Sequence, residues 1–133
     1  MLTKKYPPLY ISINKELLNM LLAEAKKNFF NFLYYKTDYY FFKEDDSFIS
    51  KNIFKKYKKL DKEQAFEIYN RTGFEEILNI IKNKEYKELF DSYEILYHLN
   101  NTKTFAMPVT DLKLFLDIAN ISFDTVKEYE KNQ

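Results

Sequence analysis

Between Leu18 and Leu33 the apolar residues fall on one face of a single long helix. Leu18, Leu21, Leu22, Ala25, Phe29, Phe32 and Leu33 recur at the i, i+3, i+4, i+7 spacing that aligns side chains on 3.6-residue turns. Glu16, Glu24, Lys27 and Asn31 fall opposite, while Leu17, Met20, Phe30 and Tyr34 are apolar but off the stripe. A helix apolar beyond one stripe needs cover on more than one side. The spacing therefore predicts a central helix from Asn14 or Lys15 to Lys36, with the rest of the chain packed around it.

The remaining elements are short and closely spaced. Leu9–Ile13 (LYISI), set off by Pro7-Pro8, is the best strand candidate, and Thr104–Val109 is a segment that could pair with it. Asp38–Phe42 (DYYFF) fits either an extension of the central helix or a short strand. Lys43–Asp46 reads as a turn. Ser47 is placed to cap a helix over Phe48–Leu60, with Ile49, Ile53, Tyr57 and Leu60 facing inward. Asp61 with Gln64 predicts a capped helix to Asn70, and Gly73, the only glycine, marks its end. Thr72 with Glu75 has the form of a second capping box, opening a helix through Phe74, Ile77, Leu78 and Ile81. The next helix, to Leu99, carries Tyr86, Leu89, Phe90, Tyr93, Leu96 and Tyr97 on one stripe. Two helices close the chain, Thr110–Ala119 and Ser122–Lys131. The fold class that follows is mainly α: a single domain, residues 1–133, of about six or seven helices with room for one two-stranded ribbon near the N-terminus.

Hydrophobic residues make up 46% of the 133, so a core can form without disulfides or a structural metal. Cysteine is absent, which suits a reducing compartment and excludes thiolate chemistry. No apolar run reaches the roughly 18–20 residues of a membrane span, nor the about 7–15 of a secretory core. The expected location is the cytoplasm, that of a host cell included, with no membrane partner. Twenty lysines against Arg71 alone, with abundant Asn, Ile, Tyr and Phe, suggest an AT-rich genome, such as that of a bacterium, its phage or its plasmid. Residues 1–60 carry a net charge of +6 and residues 61–133 of −5. Such a split either marks a basic and an acidic contact face or cancels where the halves pack together.

A lone glycine cannot build the phosphate-cradling loops or the strained nucleophile turn that close backbone approach requires. With no cysteine, any base-and-nucleophile pair of the common kinds would have to use His98. Asp91, Glu94 and His98, spaced i, i+3, i+7 on one helix, could converge on a metal or a proton; Glu94 pairing with a surface imidazole explains the same spacing. The pairs Asp45-Asp46 and Glu75-Glu76 have no catalytic spacing. No catalytic residue, cofactor or metal is expected, and the chain is not expected to be an enzyme.

Two segments suggest nucleic acid. Lys51, Lys55, Lys58 and Lys59 would share one face of the Phe48–Leu60 helix and track phosphates, or form an ordinary solvated face. Leu112–Tyr129 (LKLFLDIANISFDTVKEY) resembles a helix-turn-helix motif, with Asn120 at the turn and Phe115, Ile121, Val126 and Tyr129 packing the two helices together. The resemblance implies a DNA-binding regulator using Thr110–Lys131, with Thr125 and Lys127 toward DNA and the lysine helix anchoring phosphates. Leu116 stands where the motif usually has a small residue, and Asp124, Glu128 and Glu130 oppose phosphate. A helical hairpin capped by Ser122 accounts for the same residues.

Tyr34, Tyr35, Tyr39, Tyr40 and Phe41 form a dense aromatic segment. Exposed, it would be a protein-binding hot spot, because tyrosine offers a large contact area at low entropic cost; buried, it is core. The leading expectation is a non-enzymatic, phage- or plasmid-type accessory protein that inhibits or regulates a host protein complex by contact.

Overall fold

Asn14 starts the central helix. Its backbone is extended and its Oδ1 accepts from Leu17 N–H at 2.7 Å, satisfying one of the donors a first turn leaves free. The computed structural model describes residues 9–37, 39–41, 48–50, 60–81, 83–99 and 103–131. Element order is β1 (Tyr10–Asn14), α1 (Lys15–Lys36), β2 (Tyr39–Phe41), β3 (Phe48–Ser50), α2 (Lys62–Thr72), α3 (Phe74–Ile80), α4 (Lys84–Tyr97), β4 (Thr104–Pro108), α5 (Val109–Ala119) and α6 (Phe123–Lys131). Among the described residues the architecture is the expected one, six helices and a short antiparallel ribbon at the N-terminus, with a second ribbon besides.

α1 is the hub, packing against α5, α4, α2 and α6. Leu17, Leu18, Leu21, Ala25, Phe29 and Leu33 are fully buried, and Phe30 and Phe32 nearly so, which is the more-than-one-sided cover its sequence called for. Phe29 lies edge-on to Phe74, Tyr86 and Phe90 at 5.3, 5.9 and 5.6 Å, and Phe90 passes the contact to Phe115 at 6.1 Å. Each such side chain removed from water contributes about 1.5–3 kcal/mol, and the edge-to-face geometry suits the ring quadrupoles. No polar or charged side chain is buried among the described residues.

β1 pairs with β4 antiparallel, Ile11 opposite Met107 and Ile13 opposite Phe105, so the alternating inner residues join the core. Within the Asp38–Phe42 segment Tyr39–Phe41 form a strand: Thr37 leaves α1 extended (φ −124°, ψ 174°), and Tyr39–Phe41 pair with Ser50, Ile49 and Phe48. The expected helix over Phe48–Leu60 is thereby corrected at its start. Pairing with β2 satisfies the backbone of Phe48–Ser50, and an aromatic and a β-branched residue suit it. Residues 51–59, and with them Lys51, Lys55, Lys58 and Lys59, lie outside the described residues, as do Asp45 and Asp46.

Asp61 caps α2 as expected, its Oδ1 accepting from Gln64 N–H at 3.0 Å. Gly73 takes φ 92°, donates to Tyr69 O and accepts from Ile77 N–H, ending α2 and beginning α3 at one residue. The Thr72 capping box does not form. Thr72 is still helical in α2, whereas a capping residue must be extended, and α3 has no side-chain cap. Among the described residues no helix is long and apolar enough to cross a membrane.

A candidate aromatic docking face

Tyr35 is the most exposed ring at the end of α1, with 63% of its surface open. One residue earlier, Tyr34 is half-buried and donates its hydroxyl hydrogen to Leu60 O at 2.7 Å. Burial, with Tyr35 and Asp61 beside it, raises the Tyr34 hydroxyl above the ordinary tyrosine value. Tyr34 stacks on Phe30 at 5.8 Å and meets Tyr35 edge-on at 5.0 Å. Phe30 continues the row into α2, edge-on to Phe66 at 5.1 Å and tilted against Tyr69 at 5.3 Å.

Phe66 is 48% exposed although its neighbours Ala65 and Ile68 are buried. It lies one residue off the buried stripe of α2, one turn after Lys62. The Lys62 ammonium in turn sits over the Tyr35 ring at 5.1 Å from its centre. Tyr35, Lys62 and Phe66 thus share one surface, backed by Phe30, Tyr34 and Tyr69. Burial alone pushes the Tyr69 hydroxyl well above the ordinary tyrosine value. The structure brings together Tyr34 and Tyr35 of the sequence-derived segment. Tyr39, Tyr40 and Phe41 form β2, and their side chains lie outside the described set. Phe66 and Lys62 were missed, because an i, i+4 pair on α2 shows no link to α1 until the helices are packed.

The helix pair resembling a helix-turn-helix motif has the expected local geometry. Asn120 is left-handed (φ 59°, ψ 46°), and Ile121 N–H bonds back to Leu116 O at 3.1 Å. Ser122 Oγ accepts from Thr125 N–H at 3.2 Å. Phe115 and Val126 are fully buried, Phe115 edge-on to Phe90 and Tyr93 of α4. Thr125 and Lys127 are exposed, but so are Asp124 and Glu128, and Lys127 lies over its own neighbour Phe123 at 5.2 Å. The described outer face of α6 therefore carries two carboxylates and one ammonium, a poor match to phosphate.

Asp91, Glu94 and His98 do not converge. Glu94 is held by Lys26 across from α1 and by His98 at 3.6 Å, while Asp91 pairs with Lys87 at 3.1 Å. The His98 side chain is 72% exposed. Among the described residues no group of three or more His, Cys, Asp or Glu could hold a metal ion. A wide open groove of about 810 Å³ runs along α5 and the α5–α6 turn, and its Lys36 and Asp117 already face each other at 3.4 Å.

The chain matches no protein-family model, no curated protein and no solved structure.

Proposed function

We propose that this protein works by binding another protein, with Tyr35 and Phe66 as the anchors of the contact. One observation carries the reading: two large aromatic side chains are 63% and 48% exposed while their supports Phe30 and Tyr34 are fixed by ring contacts and a hydrogen bond. Exposed rings on a rigid base lose little side-chain freedom on binding, which is what a hot spot requires. The role that fits is an accessory one, inhibiting or regulating a protein complex of the cell in which the chain acts. The lysine-rich, arginine-poor composition is the support for a phage or plasmid origin.

The test is affinity capture from a bacterial lysate with the wild type, the double variant Tyr35→Ser/Phe66→Ser, and Ile95→Ser as a control on an exposed apolar side chain near the end of α4, the end that meets the start of α1. A partner retained by wild type and control but lost by the double variant is the expected result. A partner held equally by all three removes the aromatic face from the reading, and no specific partner at all removes the reading.

A second reading, a DNA-binding regulator, is supported by the α5–α6 geometry, in which a left-handed Asn120 joins two helices over buried Phe115 and Val126. Gel-shift titration on double- and single-stranded nucleic acid over a salt series separates the two. Micromolar binding with a steep salt slope, weakened in Thr125→Ala/Lys127→Ala, would place the regulator first.

A further inference from the structure

The β1–β4 ribbon leaves one edge with the pattern of a self-pairing strand. Val109 N–H bonds Leu9 O at 2.8 Å and Lys15 N–H bonds Lys103 O at 3.0 Å, bracketing the ribbon. With Ile11 opposite Met107 and Ile13 opposite Phe105, the odd-numbered residues of β1 are the ones bonded to β4. Tyr10, Ser12 and Asn14 must then turn their N–H groups outward, and Tyr10 and Ser12 their carbonyls too, because hydrogen-bonded and non-bonded pairs alternate in an antiparallel ladder. The Asn14 carbonyl is committed to the first turn of α1. Among the described residues no other strand pairs with β1.

Open edges are normally blunted by charge or proline. β4 has both, Lys103 just before it and Pro108, which has no N–H, at its end. Within its own span β1 has neither, Pro8 lying before it and Lys15 after it in α1: Tyr10–Asn14 is uncharged and free of proline, Ser12 is exposed, and Leu9 and Tyr10 are 77% and 58% exposed.

We propose that β1 pairs antiparallel with β1 of a second copy of this chain, Ser12 facing Ser12 on a two-fold axis, to give a four-stranded sheet ordered β4–β1–β1–β4. The outward groups are self-complementary in this register. The two Ser12 residues exchange both bonds, and each Asn14 N–H meets the Tyr10 carbonyl across the axis. On the inner face half-buried Ile11 comes opposite Ile13 of the other copy, and no like charges meet anywhere along the strand. This surface is separate from the Tyr35–Phe66 face, so the dimer stands or falls independently of the proposed docking.

Ser12 tests it, since neither its side chain nor its backbone groups serve the β1–β4 ladder. Analytical ultracentrifugation of the wild type should show a concentration-dependent dimer at tens of micromolar. Ser12→Lys and Ser12→Asp each place like charges on the axis and should weaken the dimer by at least about tenfold, while an equimolar mixture of the two restores it. The chain has no cysteine, so Ser12→Cys introduces its only thiol; on oxidation it should crosslink far faster than Ser122→Cys on the exposed α5–α6 turn. A wild type that sediments as a monomer at hundreds of micromolar overturns the proposal. So does a Ser12→Lys protein that dimerises as well as the wild type, or equal crosslinking at the two cysteines.

Discussion

The Tyr93 hydroxyl donates to Asp111 Oδ2 at 2.6 Å, tying the middle of α4 to the first turn of α5. Desolvation first, then the bond to Asp111 and its charge, hold this hydroxyl well above the ordinary tyrosine value. Tyr93→Phe leaves the ring in place against Phe115 but strips Asp111 of its donor. The expected loss is about 1.5–3 kcal/mol, the range for a hydrogen bond to a charged group, measured by urea unfolding of the two proteins.

The same tyrosines set an alkaline limit. Tyr69 and Tyr93 both have raised folded values, so the unfolded chain loses those protons first as pH rises. Their contribution is fully present below about pH 10, the unfolded tyrosine value, and is lost as pH climbs toward the folded values. Urea midpoints should therefore fall above about pH 10, and a Tyr69→Phe/Tyr93→Phe protein should fall less. Equal falls in both would show that these hydroxyls are not the groups responsible.

Gly73 is needed for its backbone. It sits at φ 92°, yet a Cβ built there would meet nothing within 4 Å. Gly73→Ala should cost about 1–3 kcal/mol from backbone strain alone, because φ 92° with ψ 151° is a conformation essentially confined to glycine. Asn120→Gly, at φ 59°, should be neutral or slightly stabilising. Thermal melts of the two variants read both signs.

Core and docking face should separate under truncation. Phe29→Ala removes a fully buried ring that meets Phe74, Tyr86 and Phe90, and should cost about 3–5 kcal/mol. Tyr35→Ala removes an exposed ring and should change stability by no more than about 0.5 kcal/mol. A large loss for Tyr35→Ala would show it to be a structural residue and weaken its role as an anchor.

Divalent metal should leave the fold indifferent. Glu94 is engaged by Lys26 and His98, and Asp91 by Lys87. Zinc or manganese in excess should leave the melting temperature where chelator leaves it, whereas a rise of several degrees would restore the Asp91, Glu94 and His98 site to consideration.

The sequence alone determined the elements whose signals are local. The start of α1 at Asn14 or Lys15, Asp61 capping α2, Gly73 between two helices and left-handed Asn120 before α6 each depend on a few neighbouring residues and on steric limits that hold in any fold. The α1 stripe was legible for the same reason, since its period is set by the helix itself. For the β1–β4 ribbon the sequence offered only two short segments that could pair, and the packed structure decided that they do. Local pattern failed where long-range pairing competed with it. Phe48–Ser50 opens the segment Phe48–Leu60, whose apolar spacing is helical, but β2 offers its backbone a partner, and Thr72 has a capping sequence but remains inside the preceding helix. Only tertiary structure decided which aromatic residues are core and which are surface. Tyr34 and Tyr35 are adjacent in the chain, yet one is tied to Leu60 and the other open, while Phe66 joins them from another helix. Exposure is a property of what packs against a side chain, and in a chain this rich in Phe and Tyr every ring has the same local claim to the core.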